Sequence, residues 1–249
     1  MADTDSGSPL HLAMGNMCCW DYRKKCICLV TYTNAITCKN FGHAKVLAEA
    51  YPYGNVAGVR YSNDRGIAQT SDRGVEGTII VEKPGPHLND HPTIATLITQ
   101  YGIGKPIELN KISETIVRYT KDMDHAKRLQ CDTSFNRVKK FDDCLLHLRS
   151  ELSKEENSAL KIVLIPVGIG RGGQMDDEWI DYYLPMLYDF SRSVKSLGKK
   201  VFLIMSNYYR DKLEEGARAL SAINKIPLLK KSDMPEIYGE DVCGKKPFC

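Results

Sequence analysis

The stretch Leu160–Val167 (LKIVLIPV) runs straight into Gly168-Ile169-Gly170-Arg171-Gly172-Gly173, and an amphipathic segment follows from about Asp177 to Leu197. Few folds accept that order. An apolar, β-branched run without alternation reads as a strand covered on both faces, and such strands belong to parallel sheets flanked by helices. A second run of this kind, Lys200–Met205 (KVFLIM), comes next and completes a strand–loop–helix–strand unit. On the helix between them Ile180, Tyr183, Leu184, Leu187, Phe190 and Val194 share one face. Pro185 lies in mid-pattern and is expected to loosen a helical hydrogen bond or bend the axis.

The same alternation extends upstream. Lys25–Thr33 (KCICLVTYT) predicts a strand, and Gly42–Tyr51 a helix ended by Pro52. Short β-like runs follow at Val56–Tyr61, Gly77–Val81 and Thr93–Thr99, with turn residues between them. Glu108–Leu129 and Phe135–Leu152 predict two helices. The expected fold is an α/β class, three-layer α/β/α sandwich with a mostly parallel, mixed central sheet. The expected division is a flexible leader over 1–14, one domain over 15–224 with a helical insertion at about 101–140, and a tail over 225–249.

Composition excludes several alternatives. With 43% hydrophobic residues and a net charge of +3, the chain lacks the low hydrophobicity and charge imbalance of a disordered protein. No segment approaches the roughly 20 apolar residues of a membrane helix. The first fifteen residues carry no basic region and no apolar stretch of the signal-peptide kind, so a cytoplasmic or nuclear location is expected, without secretion. The cysteine count of nine is odd, which favours free thiols in a reducing compartment. Cys18, Cys19, Cys26 and Cys28 invite a zinc reading, yet they lack paired knuckle spacing, and no metal or cofactor is expected.

The glycine loop admits two readings, a plain turn or a phosphate cradle. Glycines let backbone N–H groups approach an anion, and the helix behind points its positive end at it. The string satisfies a dinucleotide fingerprint, but it falls late in the chain and Gln174–Glu178 intervenes before the helix. No Lys-Ser/Thr follows with P-loop spacing. Asp176, Asp177 and Glu178 at the helix start suit capping or, alternatively, catalysis beside bound phosphates.

From about Gly15 to Met205 the order of motifs resembles the macro domain, an ADP-ribose-binding α/β/α module, nearest in manner to the terminal ADP-ribose glycohydrolase branch. The resemblance is carried by Gly15-Asn16 before the first core strand, by Asn34-Ala35-Ile36-Thr37 at a strand end, and by Gly42-His43-Ala44 opening a helix. It continues through Ile94–Gln100 and Ile165–Gly172 with Trp179 after it. It implies that ADP-ribose or an ADP-ribosylated protein is the partner, bound by Asn16, Asn34, Thr37, Gly42, Ala44, Gly168, Ile169, Gly170, Arg171 and Gly172. Tyr208 or Tyr209 would be candidates for stacking on adenine.

Departures from the family pattern touch the chemistry. Asn16 replaces the adenine-binding Asp, Thr37 the second motif Asn, and Gln100 the catalytic Lys of the glycohydrolase branch, whose loop Asp falls near Gln174. His43, with a side-chain pKa near neutrality, and Asp176 or Asp177 then become the catalytic candidates. They would suit de-ADP-ribosylation or dephosphorylation of ADP-ribose-1″-phosphate. A non-catalytic ADP-ribose, poly(ADP-ribose) or RNA-binding module, or a macro-like fold with an interaction role, is the alternative. Lys111, Arg118, Lys121, Lys127, Arg128, Arg137, Lys139 and Lys140 over 108–140 would form a solvated helix face or a weak polyanion-binding patch.

Overall fold

In the computed structural model the described residues are 10–14, 20–21, 26–34, 47, 51, 76–86, 91–100, 134–167, 182–205, 228–229 and 240–241. They form strands β1 (Leu10–Met14), β2 (Trp20–Asp21), β3 (Ile27–Asn34), β4 (Ile79–Glu82) and β5 (Thr93–Gln100), then helix α1 (Ser134–Ser153). A 3-10 turn at Glu155–Asn157 leads to β6 (Ile162–Pro166), helix α2 (Leu184–Lys195), β7 (Lys200–Met205), β8 (Leu228–Leu229) and β9 (Glu240–Asp241). Seven strands make one sheet in the order β4-β5-β3-β6-β7-β1-β8, while β2 and β9 pair separately. Among the described residues, only β4 runs antiparallel within the large sheet. The expected α/β class with a mixed, mostly parallel sheet is the observed one.

Continuous apolar runs became the central strands because both of their faces are covered. Cys28 and Val30 of β3, Ala95 and Leu97 of β5, Val163 and Ile165 of β6, and Val201 and Leu203 of β7 join one core with the two helices. Their alternates Leu29, Ile94, Ile98, Leu164 and Ile204 point to the opposite face and are equally buried. From α1 that core receives Phe141, Cys144, Leu145, Leu148 and Leu152, and from α2 Leu184, Leu187, Phe190 and Val194, at helical spacing. Both helices therefore lie on one face. From the helix expected over Gly42–Tyr51, the described residues Leu47 and Tyr51 are buried and joined by a Tyr51 N–H to Leu47 carbonyl bond of 2.8 Å. The runs expected at Val56–Tyr61 and Glu108–Leu129 lie outside the described residues.

Four expectations require correction. Residues 10–14 are no leader: β1 lies inside the sheet, paired in parallel with β7 and β8. The tail contributes β8 and β9, so the sheet extends past both proposed domain boundaries. Local periodicity is weak in LHLAM and LL, and neighbouring strands supply their hydrogen bonds. Pro185 does not interrupt regular α-helix, because α2 starts at Leu184 after a π turn at Tyr182–Tyr183. In the first turn its missing N–H would have no partner anyway. Finally, Arg137 is 2% exposed and is withdrawn from any polyanion patch, whereas Lys139 is exposed.

Two local devices fasten the sheet. Gly77 adopts φ +82°, and its N–H donates to the Ile98 carbonyl at 2.8 Å, starting the β4–β5 pairing. A Cβ there would come within 3.1 Å of Asp143 Cβ. Gly77→Ala is therefore expected to cost roughly 1–3 kcal/mol in urea denaturation, from strain at positive φ plus that contact. At the opposite edge, buried Lys199 donates from Nζ to the carbonyls of Asn157 (2.9 Å) and Leu160 (2.7 Å). Burial, reinforced by Lys161, pushes this ammonium below the ordinary lysine range.

Among the described residues no helix is long and apolar enough to cross a membrane.

Candidate functional site

Parallel pairing puts the carboxyl ends of β1, β7, β6, β3 and β5 on one edge of the sheet. From β3 the chain goes on to β4 and β5 on one side, and from β6 to β7 on the other. Adjacent strands whose connections diverge in this way leave a crevice above their carboxyl ends, where open α/β sheets take ligands.

The backbone shows where the crevice begins. The β3–β6 ladder ends at Leu29↔Leu164, while β6–β7 pairing continues to Pro166↔Ile204 and β3–β5 pairing to Asn34↔Gln100. Pro166 accounts for part of this, since it has no N–H to donate towards β3. Its carbonyl accepts instead from the Tyr32 hydroxyl at 2.9 Å. One residue on, Val167 N–H donates to the Ile204 carbonyl at 3.1 Å, so bonding to β7 continues past the end of β6. On the β5 side the register shifts between Thr33 and Asn34.

Close to the end of the β3–β6 ladder lies an aromatic cluster. Tyr32 and Phe141 have ring centroids 5.9 Å apart, and Phe141 meets Tyr183 edge-on at 4.6 Å. Phe141 and Tyr183 are fully buried. Burial holds the Tyr32 phenol well above its ordinary pKa, with Tyr183 and Cys144 adding to the effect, so its hydroxyl stays a donor. Beside the cluster the Cys144 thiol donates to the Thr78 carbonyl at 3.2 Å, and burial pushes its pKa up to about 12. Thiols so held are unreactive near neutral pH.

Of the ligand-binding candidates, Asn34 is described and ends β3, opposite Gln100. Asn16, Thr37, Gly42, Ala44, Gly168, Ile169, Gly170, Arg171 and Gly172, and the catalytic candidates His43, Asp176 and Asp177, lie outside the described residues. So do Tyr208 and Tyr209. Tyr32 and Phe141 were not marked as site residues by the sequence: a tyrosine in an apolar strand and a phenylalanine on a helix face read as ordinary core. Their one available signal was that β3 and β6 frame the two loops. Cys26 and Cys28 carry free thiols in and beside β3. Among the described residues, no group of three or more His, Cys, Asp and Glu side chains is placed to hold a metal ion.

No protein-family model matches the sequence, and no curated protein matches it. Solved structures do. A variant of the Oceanobacillus iheyensis macrodomain aligns over 87% of this chain and 94% of its own, at 13% identity and a TM-score of 0.51. Another variant of that macrodomain, with ADPR, covers 86% of this chain and 94% of its own, at 12% identity and a TM-score of 0.43. Alphavirus P23pro-zbd aligns over 91% of this chain at 12% identity and a TM-score of 0.47, and this chain spans 26% of its length. The first of these likenesses gives the chain the macrodomain fold.

Proposed function

We propose that this macrodomain-fold chain binds ADP-ribose, free or attached to protein, across the carboxyl edge between β3 and β6. The observation that carries the reading is the parting of these two parallel strands beyond Leu29 and Leu164, at the roots of the two loops singled out by sequence. Chain connectivity limits reach: at ~3.6 Å per residue, Gly168 stands within ~7 Å of Pro166, and Thr37 within ~11 Å of Asn34. Both loops thus start from one edge. A diphosphate lying between them would be met by N–H groups from both sides. Asn16, two residues beyond β1, would be the adenine contact.

Catalysis is the finer part of the proposal. His43 would serve as general acid or base, and Asp176 or Asp177 would orient water towards an ADP-ribosyl bond or the terminal phosphate of ADP-ribose-1″-phosphate. Gln100, at the end of β5, supplies no amine for a lysine-based mechanism. Asn16, Thr37 and Gln100 also favour a second reading, recognition without turnover.

Calorimetric titration with ADP-ribose tests the first part, with saturable binding as the expected result. Gly170→Val, which puts a branched side chain where backbone should approach phosphate, is expected to weaken binding at least about tenfold. Absence of heat from the parent chain would end the proposal. For catalysis, ADP-ribosylated protein and ADP-ribose-1″-phosphate are the substrates to incubate. If turnover occurs, His43→Ala and the Asp176→Ala, Asp177→Ala double variant are expected to abolish it. Binding without turnover selects the second reading.

A further inference from the structure

The chain between β6 and α2, which carries the glycine loop, starts and ends against one aromatic cluster. At its start the Pro166 carbonyl is held by the Tyr32 hydroxyl at 2.9 Å. At its end Tyr183, in the π turn before α2, packs edge-on against Phe141 at 4.6 Å, and Phe141 in turn lies against Tyr32. Beyond Leu29↔Leu164 no ladder pair sets the separation of β3 and β6. The Tyr32–Pro166 bond joins the two strands there. With the Val167 N–H on the Ile204 carbonyl, both polar groups of the Pro166–Val167 peptide are bonded, one to each neighbouring strand.

We propose that Tyr32 is a positioning residue for the glycine loop: its hydroxyl sets the gap between the ends of β3 and β6, and so preorganises the loop amides for a diphosphate. This rests on the ADP-ribose reading for its ligand, but its effect on the loop does not. Preorganisation matters because amides that must be ordered during binding lose affinity to that ordering. The phenol is half-buried, its pKa is held well above the ordinary value, and it stays protonated through the neutral range, which suits a permanent strut.

The test uses the full chain and Tyr32→Phe, which keeps the ring against Phe141 and removes only the hydroxyl. Ser191→Ala is the control, since Ser191 is buried and bonds the Tyr188 carbonyl within α2 at 2.6 Å. Amide hydrogen exchange is expected to accelerate over 167–173 in Tyr32→Phe and to stay at parent rates there in Ser191→Ala. Affinity for ADP-ribose is expected to fall roughly five- to tenfold in Tyr32→Phe, while affinity for adenosine, which lacks the diphosphate, holds. Unchanged exchange over 167–173 would overturn the proposal, and so would an acceleration spread evenly over the whole sheet. Equal losses for ADP-ribose and adenosine would reduce Tyr32 to general structural support and also overturn it. If the parent chain fails to bind ADP-ribose, the functional reading falls, and the exchange comparison still decides the role of Tyr32.

Discussion

Phe141→Ala is expected to lower the unfolding free energy by about 3–5 kcal/mol, the usual cost of removing a fully enclosed phenylalanine. The residue has 0% exposure and touches both Tyr32 and Tyr183, so collapse of the cavity would require α1, α2 and β3 to move together. Against a total stability of about 5–15 kcal/mol for a typical domain, that is a large share. Urea denaturation measures it. Leu146, 58% exposed on the same helix, provides the contrast: Leu146→Ala should stay within about 0.5 kcal/mol of the parent. Equal effects at the two positions would show that α1 does not pack as described.

Alkaline pH is expected to unfold the protein through its buried thiols. Burial raises the Cys28 and Cys144 thiols from 9.0 to about 12. A group whose folded-state pKa is raised contributes stability that is complete below its unfolded value and is lost as pH climbs towards the folded one. Between pH 9 and 12 the unfolded chain releases protons that the folded chain retains, so stability falls with rising pH. A shift from 9.0 to about 12 corresponds to roughly 4 kcal/mol per thiol across the whole window. Lys199 acts in the opposite sense. Its folded pKa is lowered, so its contribution is present above the unfolded lysine value and is lost as pH falls through the folded one, which offsets part of the thiol effect. Urea midpoints measured from pH 8.5 to 11 should decline steadily, and Cys144→Ala should flatten the decline. A level profile for the parent chain would refute the assignment.

Where neighbours in sequence carried the information, the reading from sequence succeeded. Lys200–Met205 is β7 with the same bounds, and the run Leu160–Val167 contains β6. Phe135–Leu152 became α1, longer by one residue at each end. In these segments burial repeats with a fixed period, so a window of residues is enough. It failed where pairing partners are remote. The leader segment LHLAM gains its place because β7 and β8 lie beside it, and Leu228-Leu229 is a strand because β1 is its neighbour. A two-residue strand has no period to detect. Arg137 reads as a surface cation and is buried, since the helix phase that places Phe141 and Cys144 inward also carries position 137 with them.

For the candidate site the division is similar. Of the proposed site, the sequence shows a local pattern, glycines 168, 170 and 172 between the run that contains β6 and the segment that contains α2. That β3 and β6 are neighbours was not legible in any local pattern and was expected only through the family resemblance, because residues 35–161 separate them. Nor was the Tyr32–Pro166 bond, which spans 134 positions. Local composition determined the types of these elements and the α/β class. Strand order, the end of the β3–β6 ladder and the Tyr32–Pro166 bond beyond it were decided by tertiary structure alone, since hydrogen bonds between remote strands leave no periodic trace in the chain that makes them.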